Sequence, residues 1–268
     1  MGNDAEKIVA KFYNEGGWEV TNGVTTDAEK FEDLREVARD YVSKCRLRVL
    51  RHVPTQGQYL LDMASGPIQY DEYLEYSRNF AKRFCVDLSS SALAQARAKI
   101  GDHGVFLHGS FFDLEFKKDF FDCAISLHTI YHMESSLQEA AVRKLIDITK
   151  PGHPIIIVYS NPDTFIAVLR SALRRSVGRQ ESPGRRTERT AGDLYFFPHA
   201  VGWWQRFEDV ANVRMYPWRS FGTPAQKAIF RNNFIGKWMF TLLFALEESF
   251  PVFFVRHFQY PMIVLTKK

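Results

Sequence analysis

The stretch LLDMASGPIQYDEYLEY, Leu60 to Tyr76, decides how this chain is read. A short apolar run ends on an acid, Asp62, and breaks into Ala64, Ser65, Gly66 and Pro67, a turn with almost no side-chain bulk. A helix-like run is expected after it. A backbone this bare admits a ligand at close range, because glycine and alanine leave the peptide groups uncovered.

Working outward, apolar strand-like runs alternate with amphipathic ones, the pattern of βαβ units. The runs QYLLDM, AKRFCVDL, GVFLHGSF, FDCAISLHTI and PIIIVYS read as five strands. Between them, SSSALAQARAKI follows possible serine caps, and SLQEAAVRKLIDITK is stopped by Pro151 and Gly152. Right-handed crossovers then give an open, mostly parallel sheet. In such sheets ligands lie beyond the carboxyl ends of the strands, where the turn after the first strand faces the crevice. Asp87 ends the second strand, twenty-five positions after Asp62. A carboxylate there can accept two hydrogen bonds from a ribose diol. NAD and S-adenosylmethionine (SAM) both meet that requirement, but DMASGPIQ lacks the G-x-G-x-x-G that a pyrophosphate needs.

The four ordered markers LLDMASGP, CVDLS, GSFFDLEFKKDFFDCAISLHTIYHM and ITKPGHPIIIVYSNP make residues 55–160 resemble the class I SAM-dependent methyltransferases. The resemblance implies a Rossmann-like α/β fold: a seven-stranded mostly parallel sheet flanked by helices, with an N-terminal helical lid and an insertion after strand five. It divides the chain into a lid (1–55), a SAM-binding core (56–162), an acceptor-binding insertion (163–209) and a C-terminal completion of the sheet (210–268). It implies SAM as cofactor, held by Asp62, Ala64, Ser65, Gly66 and Pro67 of the first loop and by Asp87 and Leu88 at the ribose. Ser110, Phe111 and Phe112 would flank adenine, and Leu127 and His128 the methionyl part. The family's first loop reads roughly D-x-G-x-G-x-G; here Ala64 and Ile68 stand in two of the glycine places, and Ser110 stands where an acid often contacts adenine.

The acceptor side is less constrained. His128 and His132 are four residues apart, but without the glutamate of H-E-x-x-H no metal is expected. If the acceptor is a hydroxyl, His132 and His199 are the candidate bases and Tyr195 a candidate orienting group. The insertion joins an arginine-dense run (Arg170, Arg174, Arg175, Arg179, Arg185, Arg186, Arg189) to the aromatic run LYFFPHAVGWW. That pairing suits a small anionic or aromatic acceptor; a solvated mobile loop is the alternative for the arginines. Its Gly178, Pro183, Gly184 and Gly192 suggest a lid over that acceptor. Net charge is +4, with 35 basic and 31 acidic residues, too balanced to imply nucleic acid. RNA modification and noncatalytic SAM binding are the rival readings.

Cys45, Cys85 and Cys123 lie far apart, odd in number and without metal spacing, which suggests a reducing, cytoplasmic setting. MGNDAEKIVAKF has no apolar signal core, and Glu6 stands where a myristoylation signal has Ser or Thr. The apolar C-terminal stretch is interrupted by Lys237, Glu247, Glu248 and Pro251, so no transmembrane span is expected. Its expected form is a buried helix followed by the strand YPMIVLTK; a greasy acceptor pocket or a membrane-facing surface is the rival.

Overall fold

A computed structural model describes residues 4–18, 20–21, 24–168, 189–191 and 194–268. Seven strands form the main sheet: β1 (Gly57–Met63), β2 (Phe80–Asp87), β3 (Gly104–His108), β4 (Cys123–Leu127), β5 (Pro154–Val158), β6 (Ala211–Arg219) and β7 (Tyr260–Lys267). Their spatial order is β3-β2-β1-β4-β5-β7-β6. Strands β1 to β5 pair in parallel, with Leu61 opposite both Phe84 and Ala124, while β7 runs antiparallel to β5 and β6. Chain order reverses at β1, so the crevice opens beside the loop after it.

Strand alternation builds two cores. Ile155 and Ile157 of β5 face one layer with Leu61, Leu145 and Trp204. Ile156 and Val158 face the other with Leu60, Ile125 and Trp218. This is the period of two expected of strands buried on both sides. Helix α4 (Ser90–Ile100) is capped by Ser89, whose Oγ accepts from the Ala92 N–H (3.2 Å). Helix α5 (Gln138–Ile148) buries Ala141, Val142, Leu145, Ile146 and Ile148 and ends before Pro151 and Gly152.

Two elements depart from the sequence reading. After the first loop there is no α-helix but two 3-10 turns, Asp71–Tyr73 and Glu75–Ser77. Tyr70, Tyr73 and Tyr76 recur every third residue, the spacing at which 3-10 side chains eclipse, and successive ring centroids lie 5.3 Å apart. In the C-terminal region, β7 forms as expected, but α7 (Phe234–Ser249) is not buried all round. Phe240, Leu243 and Glu247 face inward, while Phe234 and Trp238 are 81% and 63% exposed. Helix α7 follows α6 (Thr223–Ile229) and turns into α8 (Pro251–His257).

The N-terminal region supplies α1 (Asp4–Phe12), a π-helical turn Tyr13–Gly17, α2 (Thr26–Phe31) and α3 (Glu36–Leu47). Helix α3 packs on α7 through Tyr41, Val42, Phe240 and Leu243. A buried polar network reinforces this contact. The Glu247 carboxylate accepts from Arg48 (2.8 Å), the Tyr41 hydroxyl (2.7 Å) and the Ser220 N–H (3.1 Å). Of the insertion, the described parts are a two-stranded ribbon, Arg189–Ala191 with Leu194–Phe196, and a 3-10 helix, Val201–Phe207. Arg170, Arg174, Arg175, Arg179, Arg185, Arg186, Gly178, Pro183, Gly184 and Gly192 lie outside the described residues.

Removing one partner of a buried ion pair leaves the other charge uncompensated. Glu247→Ala is therefore expected to lower unfolding free energy by about 3–5 kcal/mol, measured by urea denaturation. A loss under about 1 kcal/mol would mean that the network contributes little.

Candidate functional site

The loop after β1 is left-handed at alternate residues. Ala64, Gly66 and Ile68 all have positive φ, at 59°, 55° and 52°. These are the three positions at which the resemblance calls for glycine. An L side chain there costs roughly 1–2 kcal/mol, and a β-branched one is rarer still. The strain at Ile68 is opposed by packing, since its side chain is fully buried against Cys85, Leu93 and Ala96. Backbone bonds fix the rest: the Ser65 N–H donates to the Val86 carbonyl (3.1 Å), and the Gly66 N–H to Asp87 Oδ2 (2.8 Å).

Asp87 also accepts from the Ser89 N–H through Oδ1 (2.8 Å). Each oxygen keeps a second lone pair for an incoming diol. Burial pushes its carboxyl up to about 6, opposed by the Ser89 and Gly66 N–H bonds; Asp62 raises it further and His108 lowers it. Asp62 is placed differently. Its Oδ2 is held by the buried Arg83 guanidinium, whose Nε lies at 3.1 Å and whose terminal nitrogen makes a shorter contact. Burial raises this carboxyl and Arg83 opposes the shift. Pro67 is buried in the same loop, Leu88 lends its carbonyl to His108 Nε2 (3.1 Å), and Ser110 Oγ donates to Glu6 of α1 (2.6 Å). Phe111 enters the core, while Phe112 packs half-buried at its edge.

The N-terminal region closes over this edge. A Cβ on Gly66 would sit 3.0 Å from Trp18 Cζ2, so the indole lies flush against the loop. Trp18 stacks on Tyr13 (4.7 Å between centroids), and its carbonyl accepts from Gln95 (3.2 Å). Half-buried Asp27 bonds to Tyr13 and Gln69, and desolvation raises its carboxyl to about 6. An open cleft of about 390 Å³ lies elsewhere, lined by Pro154, Arg214 and Thr266 at the opposite ends of the strands.

Beside the loop is a buried cluster of polar and aromatic side chains that the sequence reading missed. His128, at φ 58°, ends β4 and packs edge-on against Trp218 (4.6 Å) and Tyr260 (5.1 Å). Its Nδ1 lies 3.0 Å from the Tyr131 hydroxyl, and its buried Nε2 has no hydrogen-bond partner. Burial, with Arg219 nearby, holds the ring well below its usual range, so it is neutral. Arg219 joins this cluster because the register of β6 shifts between Pro217 and Arg219. Two opposed prolines cannot complete the ladder there, and the bulge turns Trp218 into the core and Arg219 toward Glu32. Arg219 donates to Glu32 Oε2 (2.7 Å), and Arg46 lies 3.5 Å from the same oxygen. The Arg46 guanidinium sits 3.3 Å over the Tyr70 ring. The Nε atoms of both arginines are buried without partners.

Of the three residues proposed for catalysis, His132 and Tyr195 meet directly. His132 Nδ1 lies 2.7 Å from the Tyr195 carbonyl, which can only accept, so Nδ1 carries the hydrogen and Nε2 is the basic nitrogen. Burial lowers this ring to about 4. The Tyr195 phenol accepts from the Ser135 N–H (3.0 Å), so Tyr195 orients His132 through its backbone. His199 stacks on Trp203 at 4.5 Å, with its N–H donating to the Tyr159 hydroxyl (2.9 Å). Among the described residues, no group of three His, Cys, Asp or Glu is placed to hold a metal ion.

Residues 61–157, which run from β1 to β5, match the family model of a methyltransferase domain. The strand order, the loop after β1 and the acid ending β2 agree with that match. The chain carries a class I SAM-dependent methyltransferase domain. Solved structures share its fold across almost the whole length. A DhpI–SAM–HEP complex matches with a TM-score of 0.58 and 13% identity, covering 98% of this chain and 99% of that one. A SAM-dependent methyltransferase from Archaeoglobus fulgidus gives 0.56 and 12%, covering 90% and 98%. Geranyl diphosphate C-methyltransferase from Streptomyces coelicolor, bound to Mg2+, geranyl diphosphate and S-adenosylhomocysteine (SAH), gives 0.55 and 14%, covering 100% and 99%. No curated protein sequence matches the chain significantly.

For this methyltransferase domain, the environment of Asp87 gives a pH dependence. Burial pushes the carboxyl up to about 6, and if Asp87 takes the ribose diol, as the resemblance implies, it does so as the carboxylate. SAH affinity should therefore be flat above pH 7 and about tenfold weaker at pH 5. Asp62, His108 and Tyr13 also face this group, so Asp87→Asn is the control. Calorimetry should show the dependence flattened in that variant; an unchanged profile would assign the titration to another group.

Proposed function

We propose that the protein moves the methyl group of SAM to an oxygen or nitrogen atom of a small anionic acceptor bound at Arg46 and Arg219, beneath an N-terminal lid. The observation that carries this reading is the convergence of Arg46 and Arg219 on one carboxylate oxygen of Glu32. Two buried guanidiniums meeting at one acidic oxygen form an anion site, and here the acid is the lid's own. Guanidinium donors suit carboxylate and phosphate through paired N–H bonds, and the unpartnered Nε atoms add donors to the same site. The similar fold crystallised with geranyl diphosphate gives parallel support for an acceptor with an anionic group.

In this reading Asp87 holds the ribose diol and Gly66 allows close approach of the cofactor. Bound SAM supplies a methyl group already activated by its sulfonium. The chain's own task is alignment and exclusion of water. Trp18 and Tyr13 withdraw from the loop as the cofactor enters and then cover it. Ala64, Ser65 and Pro67 line the methionyl side with Leu127, and Ser110 and Phe112 the adenine side. Asp62 acts through Arg83, fixing the strand end. His128, neutral, near Arg219 and with a buried Nε2 that has no hydrogen-bond partner, is best placed to take the acceptor's proton. His132 supports it from the next turn, and His199 belongs to the aromatic wall around Trp203.

Losing one partner of a buried charge-assisted contact costs about 2–5 kcal/mol. Arg219→Met should accordingly lower kcat/KM for an anionic acceptor at least about thirtyfold while SAH affinity is unchanged. Glu32→Gln should strengthen acceptor binding by removing the internal competitor. The measurement is transfer of labelled methyl from SAM to paired small molecules that differ only in a carboxylate or phosphate, with thermal melts confirming folding. Equal turnover of the charged and neutral members would contradict an anionic acceptor.

A further inference from the structure

Helix α7 carries apolar side chains on two faces, and only one is covered by protein. Gly236, Phe240, Leu243 and Glu247 face inward against α3 and the sheet. Phe234, Trp238, Leu242 and Leu246 recur every fourth residue and are exposed, and Phe250 and Phe253 extend the strip onto α8. A helix apolar all round belongs either in a core or in a lipid environment, and an exposed apolar strip this continuous marks a contact surface.

We propose that this face docks the protein on the surface of an anionic lipid bilayer. Charge favours that occupant. Lys227, Arg231, Lys237 and Arg256 are exposed around the strip. The acids of the same region are already neutralised: Glu247 is buried on Arg48, and Glu248 bonds to Arg48 and Arg51. Of the four basic side chains, Lys237 has a surface contact with Asp40 (3.2 Å). Each basic group near anionic headgroups contributes favourably, and tryptophan prefers the headgroup boundary. A second copy of this chain would be a poorer partner, because a two-fold contact through the same patch sets these basic groups against each other. Length decides how the face is used. Helix α7 has 16 residues and α8 has 7, and they are bent by 105°. Neither reaches the roughly 20 residues needed to cross a bilayer. The pair is therefore built to lie in the interface with its apolar strip immersed.

The test is co-sedimentation of the full chain with vesicles of phosphatidylglycerol and phosphatidylcholine in equal amounts, beside vesicles of phosphatidylcholine alone. Binding is expected to the anionic vesicles, to weaken in high salt, and to fall at least about tenfold in a Trp238→Ser, Phe253→Ser double variant. The variant should keep its wild-type melting temperature, since neither side chain is buried. A second variant, Arg231→Glu with Arg256→Glu, should lose anionic binding while leaving the apolar strip intact. Absence of vesicle binding, or binding that both variants retain, overturns the proposal. So does a concentration-dependent dimer dispersed by the serine substitutions, which would assign the face to a second copy.

Discussion

The hydrogen bond from the Gly66 N–H to Asp87 Oδ2 ties the end of β1 to the end of β2, and the ligand edge is arranged around it. To make it, the chain places three residues of five in the left-handed region, two of them with side chains. Ala64 and Ile68 together oppose folding by a few kcal/mol. Burial of Ile68 against α4 and the backbone bond from Ser65 to Val86 offset that cost. The result is a flat glycine surface against which Trp18 already rests. The proposed cofactor site is thus defined by backbone, and the lid covers it with an aromatic plane.

A second constraint is charge in a dry place. Asp62, Arg83, Glu32, Arg46 and Arg219 are all buried near the same ends of the strands. Unpaired, each would be costly, and each is paired. Asp62 with Arg83 is an internal pair that braces β1 against β2. Glu32 with the two arginines is different, because its carboxylate comes from the segment after α2 rather than from the sheet. In the proposed function an acceptor's anion would replace Glu32 with the charge balance kept.

Much of this was legible in the sequence, and the reasons for the rest are physical. Short apolar runs alternating with amphipathic ones gave the five parallel strands, and an open sheet of that kind puts the turn after the first strand and the acid ending the second at one edge. The left-handed backbone at Ala64 and Ile68 was hidden because both residues lack the glycine signal. Tyr70, Tyr73 and Tyr76 looked helical because a period of three lies close to 3.6. Arg219 gave no local sign, since only the register shift opposite Pro261 aims it inward. Arg46 resembled one more charge on the solvated side of an amphipathic helix. Hydropathy could not say which face of α7 meets protein, because both faces are apolar. Tyr195 meets His132 through its backbone carbonyl, a contact that no side-chain pattern in the sequence could show.

The most direct test of the central claim is a crystal structure of the protein with SAH. The account predicts ribose hydroxyls within hydrogen-bond distance of both Asp87 oxygens, the ligand lying against Gly66, and Trp18 moved off that glycine. A ligand bound elsewhere, or one bound while Trp18 still covers Gly66, would contradict it.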